Sequence, residues 1–144
     1  MGMIKLNTIK LKAQKGRTIL GATDVFPGYI DSCFRNWGLN RNVTQSEIQE
    51  RNFNIKELTE NMTFAQMFNT ETDVMSQEEI VAFCQQYPNY LHPDGFPTFF
   101  LIKENGDYYV VNTDFLPTER RACVRKIDDD HVWDAKNNYR LVVP

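Results

Sequence analysis

Apolar and polar residues alternate over Ile4-Lys5-Leu6, then slip phase to Ile9-Lys10-Leu11 before Lys15-Gly16. This predicts an opening strand with a bulge, followed by a turn. A second short strand is expected over Thr18–Ala22, and a third where Phe53 and Ile55 alternate with Asn52, Asn54 and Lys56. The run Thr63-Phe64-Ala65-Gln66-Met67-Phe68 reads as a short helical turn with Thr63 as its N-cap. The clearest element is a helix over about 76–87. Ser76 with Glu79 three positions on forms a capping box, and Ile80, Phe83, Cys84 and Tyr87 fall on one stripe. Pro88 ends it.

Strands are then expected over Pro97–Lys103, Tyr108–Val111, Ala122–Ile127 and Tyr139–Val143. Asn105-Gly106 between the first two is a favoured two-residue hairpin turn, since both residues tolerate positive φ. These elements predict an α+β fold: an antiparallel sheet of about five or six strands, closing as a C-terminal meander, with one main helix packed on it. The segment from Phe26-Pro27-Gly28-Tyr29 to Trp37-Gly38 is irregular but rich in large rings, so it is expected to be an ordered loop on the core. Arg41–Glu50 is polar and expected to be exposed.

No linker, repeat or low-complexity tract divides the 144 residues, so a single domain over 1–144 is expected. Ten Phe and six Tyr supply ample core volume. A formal charge of −3 gives no general attraction to polyanions. Lys5, Lys10, Lys12, Lys15 and Arg17 nevertheless make the N-terminal strand basic. That pattern suits either a solvated edge strand or contact with nucleic acid. No apolar run has the length of a membrane span, and no signal-peptide pattern opens the chain. A reduced cytoplasmic setting, with no membrane, follows as the expectation.

Chemistry has few candidates. Three widely spaced cysteines form no CxxC or Cys/His cluster, so no metal and no cofactor is expected. Asp128-Asp129-Asp130 before His131 lacks the spaced ligands of a calcium loop and reads as a solvated turn. Cys84 lies on the apolar stripe of the helix, while alternation leaves the side of Cys123 open. Cys33, in the irregular segment, is the thiol to consider for nucleophilic chemistry, with His92 or His131 as its base. For binding, Trp37, Tyr109, Arg121 and Arg125 are the candidates, because aromatic and Arg side chains anchor interfaces or stack on bases.

Gly95-Phe96-Pro97-Thr98 through Lys103, followed by Asn105-Gly106, resembles the cis-proline strand and hairpin of thioredoxin-like proteins. That resemblance implies a cis bond at Phe96–Pro97 facing a reactive CxxC. The chain has no CxxC, and strands follow the hairpin where that family has a helix. A longer resemblance runs from about Gly28 to the C-terminus. Phe34 through Asn36-Trp37-Gly38, Thr63–Phe68, Ile80–Cys84, Thr98–Lys103, Val132-Trp133-Asp134-Ala135 and Val142-Val143-Pro144 are similar to motifs of an uncharacterised family of small proteins predicted from uncultured-bacterium genomes. This implies a shared fold and carries no activity.

Taken together, the residues favour a non-catalytic binding or accessory module acting through protein contacts. The alternatives are a small thiol-based or hydrolytic enzyme using Cys33 with a histidine, and a nucleic-acid-associated protein using the basic N-terminal strand.

Overall fold

The computed structural model describes residues 2–39, 47–114 and 118–144. The first strands are β1 (Met3–Leu11), β2 (Gln14–Lys15) and β3 (Tyr29–Ile30), followed by a one-turn helix α1 (Cys33–Asn36). Next come β4 (Glu47–Ile48), β5 (Arg51–Leu58), the short α2 (Phe64–Met67) and β6 (Val74–Met75). The main helix α3 (Gln77–Gln86) leads through a 3₁₀ turn to β7 (Thr98–Glu104), β8 (Asp107–Thr113), β9 (Arg121–Lys126) and β10 (Arg140–Val143).

Local signals behave as their chemistry requires. Asn105 and Gly106 take φ of 56° and 83°, and β7 and β8 pair in register from Glu104–Asp107 to Thr98–Thr113. Ser76 and Glu79 close the capping box on α3, and Thr63 with Gln66 closes another on α2. In β1 the pairing with β5 shifts between Lys5 and Asn7, which is the bulge that the phase slip implies.

The sheet itself differs from the expected one. Its order is β1-β5-β10-β7-β8-β9-β3, with β6 also paired to β7, making eight strands. It is mixed rather than antiparallel: β10 runs parallel to β7, β6 parallel to β7, and β3 parallel to β9. The meander holds only for β7, β8 and β9. Instead of adding beyond β9, β10 inserts between β5 and β7. The burial of this strand fits that interior place: Leu141, Val142 and Val143 are all buried, Val142 in one core and Leu141 and Val143 in the other, as in a strand covered on both faces. β7 follows the same rule, with Thr98–Ile102 buried throughout.

Each sheet face carries its own core. Phe53, Ile55, Phe100, Ile102, Val111 and Val142 pack beneath α3 and the segment containing Ile19, Phe26 and Phe34. On the opposite face, Leu58, Phe99, Leu101, Val110, Leu141 and Val143 meet Phe64, Met67, Trp133 and Tyr139. A single helix thus covers one face, and α2 with the chain between β9 and β10 covers the other.

Thr18–Ala22 is a turn rather than a strand. Gly21 N–H donates to the Thr18 carbonyl and Ala22 N–H to that of Ile19. The buried residues Ile19, Ala22, Val25 and Phe26 are spaced as on a helical turn, not at every second position. Of the polar Arg41–Glu50 stretch, residues 41–46 lie outside the described ones. Beyond them Glu47, Gln49 and Glu50 are exposed as expected, and only Ile48, which pairs with Gln14, is buried. The lysines of β1 sit on an edge strand: Lys5 and Lys10 are solvent-exposed, and Lys10 pairs with Glu50.

Candidate functional site

Strand β9, Arg121-Ala122-Cys123-Val124-Arg125-Lys126, sends alternate side chains to opposite faces. Ala122 and Val124 enter the core beneath α3, so Lys126 shares that face. Arg121, Cys123 and Arg125 share the other. Because Tyr109 pairs with Lys126 and packs into the α3-side core, it lies across the sheet from both arginines. The binding candidates Tyr109, Arg121 and Arg125 therefore do not share one face: the pleat divides them between two.

On the arginine face is a cleft of about 240 Å³, bounded by Asn112, Asp114, Arg121, Cys123, Arg125 and Trp133. Asp114 is buried and accepts from Arg121 Nε at 2.9 Å and from the Arg121 backbone N–H at 3.3 Å. That bond raises the Arg121 pKa above the ordinary guanidinium value. Arg125 reaches Asp129 at 3.4 Å and lies 5.3 Å from the centre of the Trp133 ring. Between the arginines, burial pushes the Cys123 thiol above its ordinary pKa, with the Asp31 charge adding to the effect. Cys123 is therefore a neutral thiol near pH 7.

The other face has its own aromatic site. Trp37 stacks on Tyr109, ring centres 5.7 Å apart and 27° between planes, and Lys126 Nζ lies 5.3 Å from the Trp37 ring centre. Burial first, then Asp107 and Glu104, raises the Tyr109 pKa. The two faces meet at the outer edge of β9. There β3 pairs only with Arg121 and Ala122, and the Asp31 carboxylate accepts the Val124 N–H at 3.2 Å. Past that point lies a shallow depression of about 570 Å³ bounded by Trp37, Arg125, Lys126 and Asp128, Asp129 and Asp130.

The thiol and histidine candidates are dispersed. Cys33 begins α1 and packs against the α3-side core; partial burial, then the Asp31 carboxylate, raises its pKa. This is the reverse of thiolate activation. His92 is buried with both ring nitrogens engaged: Nδ1 accepts the Asp94 N–H at 3.1 Å, and Nε2 meets the Asn137 carbonyl at 3.0 Å. Through these partners the ring fastens the loop before β7 to the turn before β10. His131 is exposed, its ring 4.5 Å from that of Trp133 on the opposite face of the sheet from Cys33. The structure thus brings neither histidine to Cys33. The Phe96–Pro97 bond is trans. Among the described residues, no three His, Cys, Asp or Glu side chains gather closely enough to hold a metal ion.

Asn112, Asp114, Cys123 and Trp133 complete the cleft without having been candidates for a site. Alternation along β9 was enough to group Cys123 with the arginines. Asn112 and Asp114 depend on the β8–β9 register, which no short turn dictates here. No family model, no curated protein and no solved structure matches the chain.

Proposed function

We propose that the protein is a non-catalytic binding module whose docking surface is the open end of β9. The observation that carries this reading is the pair of cation–aromatic contacts at successive residues, Arg125 over Trp133 and Lys126 over Trp37. Pleating sends one to each face, so the bare edge between them is a ridge flanked by two aromatic rings. Trp and Arg are the residues that most often anchor protein interfaces. Asp128, Asp129 and Asp130 border the same depression. This mixed charge suits a protein surface and works against a polyanion, which the three aspartates would repel.

The nucleic-acid reading of the N-terminal strand has less support. Lys10 and Arg17 are paired with Glu50 and Asp24, and the polar face beside them carries a Thr8–Asn54 hydrogen bond rather than aromatic platforms.

A photocrosslinking amino acid placed at Lys126, and separately at Lys5, tests the proposal in the source cells. A discrete protein adduct is expected from position 126 and not from position 5, and Trp37→Ala should abolish it. Equal adducts from both positions, no adduct at 126, or nucleic acid in the adduct would overturn the reading.

A further inference from the structure

Asn112, Arg121, Cys123 and Arg125 surround the cleft on the second sheet face with more hydrogen-bond donors than acceptors. We infer that this cleft is a binding site for a carboxylate group, held by the two guanidinium groups. The inference goes beyond the docking surface: cleft and ridge share Arg125 and Trp133, while Asn112, Asp114, Arg121 and Cys123 belong to the cleft alone.

The donor count leads to the anion. Asp114 occupies Nε of Arg121 and its backbone N–H, so both terminal nitrogens of Arg121 have no partner among the described residues. Arg125 gives one Nη to Asp129 and keeps the rest of its fork. The Asn112 amide and the Cys123 thiol make no hydrogen bond among the described residues. The principal acceptor, the Asp114 carboxylate, is already used by Arg121. A ligand that completes this set must supply acceptors.

Charge and size narrow the class. Asp114 and Asp129 offset much of the two arginine charges, and Cys123 contributes none because burial keeps its thiol protonated. A singly charged group therefore matches better than a doubly charged phosphate. Guanidinium forks also suit the planar, two-oxygen geometry of a carboxylate. At about 240 Å³ the cleft lies below the roughly 300–1,000 Å³ of sites for larger ligands, so it accepts a short chain and not a cofactor. Asp114 acts as a positioning residue: it is buried, it touches Arg121 twice, and it fixes where that guanidinium can swing.

The test is titration of the full chain, followed by amide and arginine Nε–H NMR signals. The probes are succinate, inorganic phosphate, and a short peptide with a free C-terminal carboxylate beside its amidated form. Succinate or the free-acid peptide should shift the Asn112, Arg121, Cys123 and Arg125 signals saturably, and should slow maleimide labelling of Cys123. Arg125→Gln should weaken binding at least about tenfold, one lost charge-assisted contact. Asn112→Ala, which leaves the Asp114–Arg121 pair intact, should weaken it several-fold and guards against misfolding of an arginine variant. Tighter binding of succinate than of peptide assigns a free small acid, and the reverse with loss on amidation assigns a chain terminus; either supports the site. Phosphate binding as tightly as succinate, equal binding of acid and amide peptides, or no saturable shift with any probe overturns it.

Discussion

Arg120 Nη1 donates to the carbonyl of Cys84 at 3.3 Å, which places a buried cation at the C-terminal turn of α3. The helix has no basic residue of its own in that turn, and its last carbonyls lack intrahelical donors. Arg120 also reaches the Val25 carbonyl through Nη1 and the Asp114 carbonyl through Nε. One side chain thus joins the helix, the N-terminal turn segment and the end of β8. Arg120→Met should lower stability by about 2–4 kcal/mol, because three buried carbonyls lose their donor at once. Arg120→Lys should recover less than half, since one ammonium cannot reproduce a planar fork. Urea unfolding midpoints measure both. A loss below about 0.5 kcal/mol for Arg120→Met would show that water replaces the guanidinium.

Gly28 passes so close to the neighbouring backbone that a Cβ built there would lie 2.1 Å from the Glu119 carbonyl oxygen. Its N–H donates to the Arg120 carbonyl at 3.0 Å, and β3 begins one residue later. Gly28→Ala must therefore push β3 off β9, because backbone cannot yield as a flexible side chain does. The expected cost is about 2–3 kcal/mol, within the range for strained packing. Amide exchange should show it locally, with the Asp31 N–H, bonded to the Ala122 carbonyl, exchanging faster. Unchanged protection there would mean that β3 does not need this close approach.

Elements set by local chemistry were legible in the chain. The bulge in β1, the Thr63 N-cap, the Ser76–Glu79 capping box and the Asn105-Gly106 hairpin each depend on a few adjacent residues, and each formed where expected. What the pattern could not reveal was which strand lies beside which. Val142 and Phe100 are partners only through a crossover from β9 to β10, and nothing in Leu141-Val142-Val143 distinguishes a central strand from an edge one. The binding residues show the same division. Arg121 and Arg125 share a face by their spacing alone, whereas the faces of Tyr109 and Asn112 follow from pairing across the β8–β9 connection. Trp37 meets Tyr109 only because α1 packs beside β9.

Trp133 shows how a ring can matter without its polar atom. Its ring centre lies 4.8 Å from Phe99, 5.1 Å from Tyr139 and 5.4 Å from Phe64, yet its buried Nε1 has no hydrogen-bond partner among the described residues. Since no bond is lost, Trp133→Phe should cost only about 1 kcal/mol, the volume term offset by removing an unpaired donor. Trp133→Ala should cost about 3–5 kcal/mol by opening the second core. Thermal or urea unfolding of the pair separates packing from polarity. Equal, large losses in both variants would reveal a hydrogen bond to the indole in solution.

The buried thiol of Cys84 makes stability depend on pH in the alkaline range. Burial raises its pKa from 9.0 to about 12, while Thr113 and Arg120 oppose the shift only in part. Above the ordinary thiol value the unfolded chain releases this proton and the folded one keeps it. The folded state then binds more protons, so unfolding free energy falls as pH rises. The contribution is complete below pH 9.0 and is lost as pH climbs toward about 12. One proton per molecule sets a limit of ~1.4 kcal/mol per pH unit. Tyr109, whose pKa burial also raises, acts in the same direction. The informative quantity is therefore the difference between wild type and Cys84→Ala, measured by urea unfolding from pH 8 to 11. Cys84→Ala should start less stable because of the cavity and lose stability more slowly with pH. Parallel curves would mean that the thiol ionises in the folded protein as easily as in the unfolded chain.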